Sequence, residues 1–445
     1  MVFYILFFIF YIFFGWFKPK YALGLILLLL PTYQIKFQIW QIPFTFLELM
    51  ILILFVCRAV KKIKNKISKI KNNQSTDGQI PIKNLKRGSG NWFWLTLVWL
   101  AVATVSMFIA PDLRAAAGVW KAYFLEPILF LIVFIDLIKN KQDLKIIYAA
   151  IFFLVYSLGV VVFYQKMIGQ GMLSVETLGA DKILRPTGLF SHPNFLGLFL
   201  GPLIVLAFGQ IVNFEPKKFL TPINSLIILF LGVGALFFAR SEGAIIGVVA
   251  GIVFYLLFFK KIRKYVLIGL VAIVLLVAVC STPRQYFLEK AFLRDLSGQF
   301  RLNIWNGAAS LLKTSPILGV GLDGYEKLIP DYQAKNFIAN SGEKLFAPPQ
   351  PYPHNLFLAI WLEMGLTGLV IFLWMIVKFF KQGFENIKKE PVLAASIMGA
   401  MVCILVHGSV DTPYFKNDLA ILFWLIIGMG VVVNNFRKEE LIKEK

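Results

Sequence analysis

The sequence predicts an all-α polytopic membrane protein, a helical bundle of about twelve or thirteen spans with one long helical loop outside the bilayer. Three observations carry that expectation. Hydrophobic side chains make up 58% of the 445 residues, only 16% are charged, and mean hydropathy is +0.75, so the apolar surface exceeds what one water-soluble core encloses. Apolar windows of 16 to 25 residues recur along the chain, the length that crosses a hydrocarbon core of roughly 30 Å at roughly 1.5 Å per residue. These runs do not alternate as the strands of a closed barrel would.

Hydropathy places the spans near 2–17, 21–35, 44–60, 92–110, 115–138, 146–165, 193–212, 222–239, 242–259, 265–281, 354–380, 391–410 and 419–435. The first two are short, aromatic-rich and separated only by Lys18-Pro19-Lys20; one of them fits a re-entrant or interfacial segment, which would make the count twelve. The run Met1 to Phe17 lacks a basic n-region and a small-residue cleavage site, so it reads as a retained helix.

Charge orients the bundle. Arg58 to Arg87 holds ten Lys and Arg residues against Asp77 alone, and Lys260, Lys261, Arg263 and Lys264 fill another short loop; such loops are expected on the cytoplasmic side. That choice puts the basic stretches Lys139 to Lys145, Asn213 to Leu220, Lys381 to Glu390 and Arg437 to Lys445 on the same side. It puts Lys166 to His192, the turn Arg240-Ser241-Glu242 and the long loop Thr282 to Pro353 outside. The chain thus divides into N-terminal spans, 1–165, with a basic cytoplasmic loop at 58–91; central spans, 166–281, with arginine-bearing outer turns; the large external loop, 282–353; and C-terminal spans with a basic tail, 354–445. Within the loop, Gln299 to Ser315 has helical spacing and stops at Pro316, which predicts a helical cap over the membrane domain.

The net charge of +21 is explained by positive-inside topology and attraction to anionic lipid, with no nucleic-acid partner. Cys57, Cys280 and Cys403 lie in or beside apolar segments and imply neither a disulfide framework nor a metal cluster. No P-loop, Rossmann fingerprint, HExxH, CxxC or Asp-x-Asp pair occurs, so no metal and no cofactor is expected. No internal repeat of the transporter kind is visible.

Polar residues gather at the predicted outer ends. His192, His354 and His407 are the only histidines and all fall there. A lone histidine at a helix end is ordinarily a cap or interface residue, but three together single out that face. Arg185, Arg240 and Arg301 lie on the same side. A guanidinium at the membrane margin needs an anion, and its fork matches phosphate oxygens. Ordinary alternatives are a cation–π pair of Arg301 with Trp305 and an ion pair of Arg240 with Glu242. In Phe190-Ser191-His192-Pro193-Asn194, Pro193 suits the first helical position, which would aim free N–H groups at a phosphate. Gly365 and Gly368 read most simply as small residues for close helix packing.

These pieces resemble a known family. HNLFLAIWLEMGLTGL from His354 is His-Asn, nine residues, then Gly365-x-x-Gly368, similar to the H-[N/S/Q]-x9-G-x-x-G motif of bacterial O-antigen ligases. RLNIW and SPILGVGLDGYEKL are similar to the family's R-x-x-x-W and P-x-x-G-x-G-x-x-x-[Y/F] stretches. RPTGLFSHPNFLG resembles a segment shared by O-antigen ligases and O-antigen polymerases, and FFARSEGA their S-R-[G/S]-A turn, with Arg-Ser-Glu-Gly as a departure.

The resemblance, over about residues 185 to 370, implies a fold of the GT-C-like membrane glycosyltransferase kind in a bacterial cytoplasmic membrane. It implies transfer of a glycan from a polyprenyl-diphosphate-linked donor to an acceptor hydroxyl on glycan, lipid or protein, without a metal. It also implies functional roles for His354, Arg301, Arg240 and Arg185. Such chemistry needs charge stabilisation on the departing diphosphate and a base for the incoming hydroxyl. His354 suits the base, steered by Glu363 or Asp411, and His192, Asn194, Trp305, Asn355 and Tyr325 complete the expected binding set. A polymerase acting on the same donor is the alternative within the family. A transporter or flippase of lipid-linked sugars is the alternative outside it, with Glu48, Lys121, Glu126 and Asp136 as its polar path, and an inactive structural or sensor protein is a third.

Overall fold

The computed structural model describes residues 2–39, 42–71, 92–169, 176–178, 183–213 and 222–443. Residues 72–91 of the basic loop, 170–175 and 179–182 ahead of Arg185, the loop 214–221 and the side chains of the basic tail lie outside the described residues.

The chain is an all-α polytopic membrane protein. Its helices are α1 (Val2–Phe17), α2 (Pro19–Leu28), α3 (Phe46–Lys71), α4 (Trp92–Phe108), α5 (Leu113–Leu137), α6 (Lys141–Ile168), α7 (Pro193–Asn213), α8 (Pro222–Ala239), α9 (Glu242–Leu256), α10 (Lys260–Val279), α11 (Ser281–Ala291), α12 (Leu296–Leu312), α13 (Gly324–Leu328), α14 (Leu356–Ile387), α15 (Pro391–Gly408) and α16 (Asn417–Lys443). Among the described residues seven segments are long and apolar enough to cross a bilayer: α5, α6, α7, α10, α14, α15 and residues 417–436 of α16. Among the described residues α1, α2, α4, α8 and α9 supply shorter apolar helices. At about 1.5 Å per residue the ten residues of α2 reach only half-way across. The sequence reading of a full span at 21–35 gives way to this short helix, a 3-10 turn at Leu30–Gln34 and an antiparallel hairpin, β1 (Lys36–Ile39) on β2 (Ile42–Thr45).

The core is built around α16, whose spanning stretch is 89% enclosed by protein. Beside it α9 and α15 approach backbone to backbone: a Cβ on Gly251 would stand 2.5 Å from the carbonyl oxygen of Gly399, and one on Gly399 2.7 Å from that of Gly251. Small residues permit such contact where lipid supplies no hydrophobic drive between helices. By contrast α10 buries no residue and stands at the rim, against α9 and α11.

The loop 282–353 is the helical cap expected from the sequence. The predicted helix at 299–315 is α12, starting three residues earlier and stopping before Pro316. The cap also carries α13 and a hairpin that the sequence reading does not contain, β3 (Asn336–Ile338) on β4 (Lys344–Phe346). It has a small core of its own, Ala308, Leu311, Leu312, Val320, Tyr325, Ile329 and Leu362, which reaches α14 through Leu362.

The cap docks on a break in α14. Gly365 adopts φ +68° inside the helix, so the N–H of Leu366 turns out to the carbonyl of Ile317 at 2.9 Å while the carbonyl of Leu362 accepts from Val320 N–H at 2.7 Å. Gly319, at φ +73°, lies against the same turn, where a Cβ would meet the Leu362 oxygen at 2.4 Å. Only glycine takes this backbone region without penalty. The sequence reading of Gly365 as a helix-packing residue is therefore corrected: it breaks the helix so that the cap can bond to it.

Candidate active site

The break in α14 lies one short helix away from its start, where Asn355 caps the N-terminus by accepting from Leu358 N–H at 3.0 Å and donates from Nδ2 to the Ser409 carbonyl at 3.0 Å. The residue before it, His354, is held at φ +46°, a left-handed conformation that costs a non-glycine residue of the order of 1 kcal/mol. Its Nδ1 lies 3.2 Å from Oδ1 of Asp411. The same oxygen accepts from Thr412 N–H at 2.8 Å, and Oδ2 is 4.0 Å from Nε2 of His407. Burial alone would push the Asp411 carboxyl up; the hydrogen bond and charge of His354, the charge of His407 and the Thr412 N–H outweigh it and hold the group at about 2. An ionised Asp411 accepts from Nδ1–H and leaves Nε2 of His354 as a proton acceptor.

Helix α12 pins this pair from the cap. Arg301 donates from Nε to the carbonyl of Val410 at 3.0 Å and from Nη1 to Ser297 Oγ at 2.9 Å. One turn on, Trp305 donates from Nε1 to the carbonyl of Pro353 at 2.9 Å. The two side chains thus grip the residues immediately before Asp411 and His354. The Arg301–Trp305 stacking weighed from the sequence is replaced by these two bonds.

The arginine turns complete the arrangement. Arg185, 7% exposed, donates from Nε to the carbonyl of Ala239 at 3.0 Å and from Nη2 to Asn194 Oδ1 at 3.1 Å. It thereby ties the start of α7 to the turn before Arg240. Arg240 sits at φ +51° and is exposed. Its anticipated partner Glu242 is taken by Lys290 at 2.7 Å, and among the described residues the Arg240 guanidinium has no hydrogen bond or ion pair. From this turn α9 runs against His407, where a Cβ on Gly243 would be 2.7 Å from the imidazole Cδ2. A continuous set of contacts therefore links Arg185, the Arg240 turn, His407, Asp411, His354 and Arg301.

Not every nominated residue joins it. The first-turn N–H of Asn194 donates to His192 Nδ1 at 3.1 Å, and the His192 carbonyl accepts from Phe195 N–H, so His192 caps α7 and these N–H groups are not free for phosphate. Glu363 accepts from Asp323 N–H at 2.5 Å, while the Tyr325 hydroxyl is buried without a partner among the described residues. Both secure the cap on α14, and Asp411 rather than Glu363 steers the imidazole. Among the described residues no group of three or more His, Cys, Asp or Glu side chains converges as metal ligands do.

The polar residues weighed as a transport path form two separate sets. Lys121 bonds to Glu48 at 3.1 Å beside Glu126, whereas Asp136 bonds to Arg58 at 2.8 Å and to Lys62. Ten residues of α3, or roughly 15 Å, separate Glu48 from Arg58, and the side chains between them are apolar.

Residues 227–373 match the family model described as O-antigen ligase. Over that stretch the chain resembles the O-antigen ligase and polymerase family. The O-antigen ligase match takes in Arg240, Arg301, His354 and both glycines of the α14 motif. A protein of Rickettsia prowazekii named "Putative polysaccharide ligase" is 28% identical over 218 residues, 47% of this chain and 51% of that one. Its namesake in Rickettsia felis is 32% identical over 199 residues, 45% of this chain and 46% of that one. An uncharacterised protein of Haemophilus influenzae is 28% identical over 171 residues, covering 34% and 40%. The chain spans about half the length of the curated relatives it matches.

Proposed function

We propose that this O-antigen ligase-like protein transfers a glycan from a polyprenyl-diphosphate-linked donor to an acceptor hydroxyl at the outer face of a bacterial cytoplasmic membrane. The observation that carries this reading is the His354–Asp411 pair held directly under Arg301. The imidazole has a free Nε2, the guanidinium groups of Arg301 and Arg185 are tied to neighbouring turns, and that of Arg240 is exposed at the turn Arg185 holds. Nε2 takes the proton as the acceptor oxygen bonds to the anomeric carbon. The bond from that carbon to the phosphate oxygen breaks, and the diphosphate leaves on its polyprenol with the bonding electrons. Arginine stabilises the charge that develops there. Outward placement of the site is supported by the basic loops at the opposite ends of the spans. Separation of the buried ion pairs of α3 and α5 favours surface chemistry over a conduit.

The test uses the purified full chain in lipid with a lipid-linked glycan donor. His354→Ala and Arg301→Ala are expected to slow transfer by roughly 10²–10⁴-fold. Wild-type transfer by both variants would overturn the assignment, as would donor-dependent glycan movement across the bilayer with no new glycosidic bond. Product length on a defined acceptor separates single transfer from polymerisation.

A further inference from the structure

The segment that follows Asp411 holds a charge that the proposed reaction has not used. Lys416 lies between the His354–Asp411 pair and the first turn of α16. Its Nζ is 3.8 Å from the ring centroid of Phe195 and 5.0 Å from those of Phe190 and Tyr33. That nitrogen is shielded from solvent and has no hydrogen-bond partner among the described residues. The carboxylates of Asp411 and Asp418 face it, yet among the described residues neither pairs with it. Asp411 is committed to His354 and Thr412.

An ammonium in this state is unusual. Withholding all three of its hydrogen bonds is costly, and the aromatic faces return only part of that cost. A leucine or methionine would fill the cage without that cost. Burial holds the ammonium below the usual lysine value, with Asp418 and Asp411 drawing it partly back, so the cage is a poor resting place for the charge. Lysine also has the flexible stem needed to leave it.

The cage is made from the arginine-bearing segment itself. Phe190 and Phe195 bracket Ser191 to Asn194, and Asn194 holds Arg185 at 3.1 Å. A lysine head that leaves these rings stays beside the segment that holds Arg185 and in the field of the Asp411 carboxylate that contacts His354.

We propose that Lys416 is a further cation of the diphosphate site, stored in the Tyr33–Phe190–Phe195 cage and released to the donor's phosphate oxygens when donor binds. The inference rests on the donor being a polyprenyl diphosphate, as proposed above. Storing the charge on aromatic faces keeps it from pairing with Asp411, which would compete with His354. Release exchanges weak ring contacts for charge-assisted hydrogen bonds.

Lys416→Met tests it, because methionine fills the cage at similar volume. The full chain in nanodiscs would be titrated with a polyprenyl diphosphate and with the matching monophosphate, alongside thermal unfolding. Expected is about tenfold weaker diphosphate binding, a smaller loss for the monophosphate, and a melting temperature that is unchanged or raised because a buried unpaired charge is gone. A merely structural lysine would lose stability and affinity together, and that result overturns the inference. So does unchanged diphosphate affinity in Lys416→Met when Arg185→Ala has lost it. If the wild-type protein itself does not prefer the diphosphate, the donor assignment falls first and the inference with it.

Discussion

Nδ1 of His354 faces Oδ1 of Asp411 at 3.2 Å across 57 residues of sequence, and each partner is held by a backbone carbonyl that α12 grips. Asp411→Asn keeps the shape of this contact but removes the charge that fixes the tautomer and supports an imidazolium. Transfer is expected to fall by roughly 10²–10⁴-fold with donor binding retained, measured as a drop in kcat at constant KM.

The same carboxylate makes an acid-sensitive contribution to stability. Its folded value of about 2 lies below the usual 3.8. The stabilisation is therefore present in full above about pH 4, and it is lost as pH falls through the folded value. The loss is of the order of 2 kcal/mol. In melting curves taken between pH 6 and pH 2, Asp411→Asn should show a shallower acid decline than wild type. An equal decline would assign the acid sensitivity to other carboxylates.

Gly365 gives a prediction about backbone rather than side chain. Gly365→Ala must hold φ +68° and place a methyl 2.2 Å from the Ile317 carbonyl, so the cap has to leave its seat; a loss of about 3 kcal/mol or more is expected. Gly342→Ala is the control, with φ +84° but open space around it. It should cost only about 1 kcal/mol, read as the difference in melting temperature between the two variants.

These contacts show what sequence carries and what it withholds. Apolar length alone announced α5, α6, α14 and α15, because lipid forces the backbone into helices of bilayer length. The break at Gly365 was invisible, since a helix-breaking glycine and a helix-packing glycine look alike until the Ile317 carbonyl is seen to receive Leu366 N–H. The site followed the same rule. In the sequence His354 stands out as one of three histidines at predicted span ends and Arg301 as an arginine of the long outer loop, while Asp411 enters only beside Glu363 as a residue to steer the imidazole. Which acid steered the imidazole was not legible, because Glu363 and Asp411 differ only in where the chain carries them. Lys416 escaped notice in TPYFKND because nothing in that string says that residues 33, 190 and 195 close around it.

Trp305 tests whether the cap positions the base. Trp305→Phe keeps the ring and removes the bond to Pro353, freeing the residue that precedes His354. A fall of about tenfold in kcat is expected with little change in donor KM, since a small misplacement of a base costs rate before it costs binding. The stability cost should be about 1 kcal/mol, one hydrogen bond. A change confined to stability would leave Trp305 as packing alone.

Arg240 and Glu242 are two residues apart and separate opposite roles. Glu242 is engaged by Lys290 at 2.7 Å and 53% exposed, so Glu242→Gln removes a surface ion pair worth at most about 1 kcal/mol and should leave transfer near wild type. Among the described residues Arg240 makes no such bond, so Arg240→Ala should shift stability by less than about 0.5 kcal/mol. Under the proposed function its exposed guanidinium, at the turn tied to Arg185, meets the donor. Donor KM is therefore expected to rise about tenfold or more in Arg240→Ala, and the rise should shrink when salt screens the wild-type interaction. Saturation kinetics at two ionic strengths decide the matter. Equal KM in wild type and Arg240→Ala at low salt would remove Arg240 from the diphosphate site and leave Arg185 and Arg301 to hold the donor.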